Sequence, residues 1–173
     1  MSRDLVVKSS VTFKDFRDNM AKVFSLVKSG NDGRQYFVVI DFDGQSVLEV
    51  VNAGKKSMTV IFDYKTRYLA FRSFKDQACY AVKMPADFAT LNDLKKMMEN
   101  PKTEAELNKK PPVQYTSNNN PVKNKVILGA PIEALCHDLP INWAAEQRGE
   151  MLFSTSACLG FDFVISVDFC WSM

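Results

Sequence analysis

The spacing of hydrophobic positions changes along the chain. Phe13, Phe16, Met20, Val23, Phe24 and Val27 recur at three- and four-residue steps, the period of one helical face. Thr12 offers an N-cap with Asp15 at the third helical position, and Gly30 with Asn31-Asp32-Gly33 ends the run. A helix is therefore expected over residues 12–28, packed on a core through that stripe. From residue 35 the pattern becomes that of strands. Tyr36 to Phe42 is rich in β-branched and aromatic residues, Asp43-Gly44 is a hairpin signal, and Val47 to Val51 reads as the return strand. Asn52-Ala53-Gly54 turns the chain again. Met58 to Phe62 and Tyr68 to Phe71 pair around Lys65-Thr66, and Cys79 to Met84 makes a fifth segment. Such short connections predict an antiparallel meander, because parallel pairing needs long crossovers.

After Pro85 the spacing of Phe88, Leu91, Leu94 and Met98 predicts a helix to about Glu99, stopped by Asn100-Pro101. Thr103 and Glu106 could cap one further turn. Residues 108–125 read as a loop, with Lys109-Lys110-Pro111-Pro112 and Ser117-Asn118-Asn119-Asn120-Pro121 too polar to build a core. Pro131 opens a short helix carrying Ile132, Leu135 and Cys136, which Pro140 closes, and the polar residues 144–156 read as a linker. In the tail, Phe161, Phe163, Ile165, Val167, Phe169 and Trp171 alternate with Asp162, Val164, Ser166, Asp168, Cys170 and Ser172, the period of a strand. A strand with that face cannot stay in water. It must pack on the rest of the chain, pair with another chain, or aggregate.

Composition narrows the function. The chain has 173 residues, 46% hydrophobic and 24% charged, with formal net charge +2, so no global charge calls for nucleic acid or an anionic membrane. Residues 1–125 carry about +7 and residues 126–173 about −5. No stretch reaches the ~20 apolar residues of a membrane helix. Met1-Ser2-Arg3-Asp4 has no apolar core behind it, so as it stands the chain reads either as cytosolic or as one whose targeting segment has been trimmed.

Candidate chemistry is sparse. There are four cysteines, Cys79, Cys136, Cys158 and Cys170, which allow three pairings between which sequence does not choose. None lies in a CxxC pair and the single histidine is His137, so structural disulfides are favoured over zinc, and neither metal nor cofactor is expected. His137 follows Cys136 directly, and helix neighbours do not face each other, so it reads as a surface histidine and not half of a dyad. No P-loop, nucleotide-binding glycine fingerprint, nucleophile elbow or HExxH helix is present, and no basic–aromatic interleaving suggests single-stranded nucleic acid. A binding protein is expected, not an enzyme. One carboxylate is oddly placed: period two puts Asp63 on the side of Ile61. It either opens the turn to Thr66 or is partly buried, in which case burial would raise its pKa and make it a pH switch.

Several segments together resemble a known family. They are Ile61-Phe62-Asp63-Tyr64, then Ala78-Cys79-Tyr80 with Lys83-Met84, then Pro131-Ile132-Glu133-Ala134-Leu135-Cys136 followed by Leu139-Pro140. In order and spacing these resemble the BRICHOS domain, and within it the gastrokines. Thr59 to Lys65 and Gly129 to Pro140 are especially similar to gastrokines of the second type. Lys55 and Lys56 stand where such gastrokines carry an extra cysteine, so a covalent trefoil partner is not expected.

The resemblance implies an α+β fold, a central antiparallel five-stranded sheet flanked by two helices, here with an extra N-terminal helix and a C-terminal strand or hairpin. It implies the pair Cys79–Cys136, leaving Cys158 with Cys170, and it matches Asp63 to the family's pH-sensitive aspartate. The expected divisions are an N-terminal helical segment (1–34), the BRICHOS domain (35–142) and a disulfide-closed β-prone segment (143–173). The implied activity is that of a secreted, chaperone-like, anti-amyloid domain binding extended β-prone polypeptide. Its client would include its own C-terminal segment through Phe161, Phe163, Ile165, Val167, Phe169 and Trp171. Tyr36, Val38, Ile40 and Tyr80 are the candidate peptide-binding residues, and the tail is a candidate contact for homo-oligomers. One alternative is a precursor releasing an antimicrobial-type hairpin, as arenicin precursors do, although residues 149–173 hold no lysine or arginine. Another is a gastrokine-like secreted signalling ligand.

Overall fold

Wherever β-branched and aromatic residues alternate between two short turns, the backbone is extended. The computed structural model describes residues 6–9, 23–29, 33–99, 113–147, 158–161 and 167–171. Its strands are β1 (Val6–Ser9), β2 (Val23–Ser29), β3 (Gln35–Asp41), β4 (Ser46–Asn52), β5 (Met58–Asp63), β6 (Tyr68–Ser73), β7 (Ala78–Lys83), β8 (Val113–Pro121), β9 (Ile141–Gln147), β10 (Cys158–Phe161) and β11 (Val167–Cys170). Two α-helices, α1 (Leu91–Glu99) and α2 (Ala130–Leu135), accompany them. The architecture is α+β and dominated by one sheet, ordered β1-β2-β3-β4-β5-β6-β7-β9-β8-β11-β10.

From β1 to β7 each strand pairs antiparallel with the next, and from β3 to β7 the connections are short turns that suit such pairing. The turns after β3, β5 and β6 each end on a left-handed residue, Gln45, Arg67 and Gln77, at φ 54°, 65° and 52°. The Gly44 amide donates to Asp41 Oδ1 at 2.8 Å, so the Asp43-Gly44 signal marks the hairpin while Gln45 takes the positive φ. The two parallel pairs, β7 with β9 and β11 with β8, both follow long crossovers.

Alternation along the strands sorts the core into two faces. Val38, Ile40, Val47, Met58, Val60, Phe62, Leu69, Phe71 and Tyr80 share one cluster with Leu94 and Met97 of α1 and with Tyr115, Phe161 and Phe169. The opposite face carries Ile61, Ala70, Cys79 and Ala81 against Leu128, Ile132, Cys136 and Ile141. Cys79 and Cys136 are joined across that second layer, tying β7 to the end of α2. The Arg72 guanidinium donates to the Leu135 carbonyl at 3.0 Å, satisfying an acceptor at the helix terminus.

Several expectations are corrected here. The sheet has eleven strands among the described residues, not five. Residues 23–28, expected to be helical, are strand β2, whereas 12–22 lie outside the described residues. Val23, Phe24 and Val27 suit a strand as well as a helix, and the ladder from Val23↔Asp41 to Ser29↔Gln35 decides between them. Helix α1 begins at Leu91, not after Pro85. Thr90 Oγ1 accepts the Asp93 N–H at 3.1 Å and Asp93 Oδ2 accepts the Thr90 N–H at 2.8 Å, a capping box that sets the start. The supposed loop 108–125 contains β8, whose Gln114 and Tyr115 are buried while Asn118, Asn119 and Asn120 stay exposed. The supposed linker begins inside β9. Of the strand or hairpin expected in the tail, the described residues show an antiparallel pair of strands, and Phe163 and Ile165 lie outside the described residues, as do residues 103–107.

Candidate functional site

Two places on the sheet concentrate chemistry. The first is the end of β5. Asp63 lies on the face of Ile61, as period two requires, and its side chain is buried. Oδ1 accepts the Lys65 N–H at 2.9 Å and the Thr66 N–H at 3.4 Å, and its carbonyl accepts the Arg67 N–H at 2.9 Å. The Thr66 hydroxyl donates to the Leu128 carbonyl at 3.2 Å. The Gly129 α-carbon sits so close that a Cβ there would lie 2.7 Å from Asp63 Oδ2. Asp63 is thus both the turn former and the buried carboxylate, closed between the β5–β6 turn and the segment leading into α2. Nearby, the Tyr64 hydroxyl donates to the Ala89 carbonyl at 2.7 Å. Burial holds the Tyr64 phenol well above its ordinary range, with the Glu49 and Asp93 carboxylates adding and Arg67 opposing.

The second place is the seat of the C-terminal strands. β11 lies between β8 and β10, parallel to β8 in the register Val167↔Val113, Asp168↔Gln114 and Phe169↔Tyr115. Every second side chain turns into the core: Leu159 and Phe161 from β10, Val167 and Phe169 from β11. Burying side chains of this size contributes roughly 1.5–3 kcal/mol each. Phe169 meets Tyr80 at 4.8 Å, stacked, and Phe71 at 5.2 Å, and Phe71 also meets Phe161 at 6.0 Å and Tyr115 at 5.5 Å. The Cys158–Cys170 disulfide closes the strand pair.

Of the four candidate peptide-binding residues, Tyr80 touches the C-terminal segment directly. Tyr36, Val38 and Ile40 face the same cluster but stand on β3, with β4, β5 and β6 between them and β7. The residues that receive the tail are Phe71, Tyr115 and Asp76. Phe71 was legible only as an apolar strand position, and Tyr115 fell in the stretch read as a loop. Asp76 carried no signal in the sequence, because its partner lies 95 residues away. His137 is exposed, with its Nε2 3.3 Å from Asp138 Oδ2, so its surface placement agrees with the sequence. Among the described residues no group of histidine, cysteine or carboxylate side chains could hold a metal ion, and no helix is long and apolar enough to cross a membrane.

Cys79 on β7 is bonded to Cys136 at the end of a late short helix and an aspartate closes β5, as the sequence resemblance implied, although in a larger sheet than it implied. The BRICHOS domain pattern matches residues 54–143. The chain belongs to the BRICHOS family. Within it, gastrokine-2 of Rattus norvegicus is 31% identical over 129 residues, covering 69% of each chain. Gastrokine-2 of Mus musculus is 29% identical, covering 96% of this chain and 94% of its own. No solved structure matches the chain. The match ends before β10 and β11, so the BRICHOS unit supplies the Cys79–Cys136 bond and Asp63, while the C-terminal seat is completed from outside it.

Proposed function

We propose that this chain is a secreted BRICHOS protein of chaperone-like, anti-amyloid character, which binds extended, β-prone polypeptide by strand addition. Its own strands β10 and β11, with Trp171, are the resident occupant. The observation that carries this reading is β11, a short apolar strand added parallel to β8 with Phe169 inserted between Tyr80 and Phe71. Main-chain pairing accepts any sequence, and the apolar floor selects strands with alternating large side chains. Disulfides of this kind suit an oxidising compartment, which supports secretion. The test is the lag time of an amyloid-forming peptide followed by thioflavin fluorescence. Substoichiometric full chain is expected to lengthen it, and the full chain with Phe169→Ala and Trp171→Ala to lengthen it further, because the seat is vacated. No delay by either protein would sink the mechanism.

A second reading has one observation behind it. The disulfide-closed β10–β11 pair has the covalent form of a releasable hairpin peptide. Burial of Phe161 and Phe169 in the shared core weighs towards retention. Intact mass of the secreted protein decides, since release would remove the residues after about Arg148.

A further inference from the structure

The last described residue of the tail is held by a different chemistry from the strand before it. Trp171 lies just past β11, edge-on to Phe169 with ring centroids 5.4 Å apart. Its indole N–H donates to Asp76 Oδ2 at 2.8 Å. The same oxygen accepts the Tyr80 hydroxyl at 2.7 Å. Asp76 is itself fixed in the β6–β7 turn, its amide donating to Ser73 Oγ at 3.1 Å. The Lys75 ammonium stands over the indole face, 5.1 Å from the ring centre. A carboxylate at the N–H edge and a cation over the π-face match both polarities of an indole at once. A phenyl ring in that place would meet the cation and leave the carboxylate oxygen one donor short.

We propose that Asp76, Tyr80 and Lys75 form an indole-recognition corner that sets the register of any strand added to β8, the chain's own tail or a client. The corner deepens the strand-addition reading above and rests on it. Spacing defines the ligand: Val167 and Phe169 point inward and Trp171 follows two residues later, with the strand parallel to β8. The recognised class is therefore an extended segment with apolar residues at alternate positions and a tryptophan at the next inward position. A slip of one residue would put polar side chains on the floor and carry the indole away from Asp76.

The experiment uses the full chain with Phe169→Ala and Trp171→Ala, and two fluorescein-labelled peptides. One has the sequence of residues 165–171 with Cys170→Ser, and the other has phenylalanine in place of its tryptophan. Anisotropy titration should show the tryptophan peptide binding about tenfold tighter, the scale of one charge-assisted hydrogen bond. Adding Asp76→Ala should abolish the preference. Equal affinities for the two peptides, or a preference that survives Asp76→Ala, would overturn the corner and leave strand addition standing. Binding of neither peptide would overturn both. A second readout needs no vacated seat. In the full chain with Trp143→Phe, Trp171 is the sole tryptophan, and Asp76→Ala should raise its quenching by acrylamide. Unchanged quenching would count against the indole contact.

Discussion

At Gly129 the backbone φ is +89°, and an added Cβ would meet Asp63 Oδ2 at 2.7 Å and Thr66 Cγ2 at 2.8 Å. Both the left-handed backbone and the close approach require glycine. Gly129→Ala is expected to cost about 2 kcal/mol or more, because neither the strained φ nor the packed turn can relax alone. Urea unfolding with an unchanged m-value would show this. Tyr80, which is buried, and Tyr64, which is partly buried, give a pH prediction. Burial, then the hydrogen bond to Asp76 and that residue's charge, raise the Tyr80 phenol, and burial does most to raise Tyr64. Their ordinary value is 10.0. Below it both states are neutral and the contribution is fully present. Above it only the unfolded chain ionises, so stability falls as pH rises from about 10 towards the raised folded values. Melting midpoints from about pH 8 to about pH 11 should drop steeply at the alkaline end, and less steeply in Tyr64→Phe with Tyr80→Phe. A drop of the same slope in that double variant would refute the assignment.

Single elements show where sequence patterns were sufficient. β3 and β4 were legible because each buries alternate residues, and β5 to β7 because they are short apolar runs buried on both faces; the turns between them are local, so strand pattern and turn chemistry agree. α2 was legible from Pro131 and its apolar spacing. β8 was not, because its Ser117-Asn118-Asn119-Asn120 run has loop composition. Pairing with β9 and burial of Tyr115 hold it extended regardless. The tail is the instructive case. Its alternation named the inward residues Phe161, Val167 and Phe169 correctly, but continuous alternation cannot reveal that the chain reverses between Phe161 and Val167. Closing that reversal with Cys158–Cys170, 12 residues apart, should stabilise by about 3 kcal/mol on the chain-entropy account. Replacing both cysteines by serine should lower stability by that amount in urea, with Cys79–Cys136 intact. A loss near zero would mean that strand pairing alone closes the hairpin.

Across the whole molecule, Phe71 makes the most ring contacts between the BRICHOS sheet and the segment beyond it, where Tyr80 and Asp76 also meet that segment. Phe71, on β6, meets Tyr115 of β8, Phe161 of β10 and Phe169 of β11. Phe71→Ala should cost about 3–5 kcal/mol, the range for a buried phenylalanine. It should also loosen the C-terminal strands selectively, read as faster amide exchange in 158–161 and 167–170 than in β3 to β5. Uniform loss of protection would mean that the segment is not a separate unit of stability.

The sequence alone determined what depends on neighbours in the chain: the meander from β3 to β7, the late helix, the buried side on which Asp63 falls, and the alternating face of the tail. Periodicity and turn residues act within a few positions, so these could be read from spacing. Its resemblance to a family also implied the cysteine partners, which spacing left open among three pairings. Tertiary structure decided everything that needed distant segments to meet. β2 became a strand because β3 offered a ladder. β8 and β9 became strands because each had the other, and the indole of Trp171 found Asp76 across 95 residues. Hydrogen-bond partners and burial at that range are set by the packed fold, and no local period encodes them.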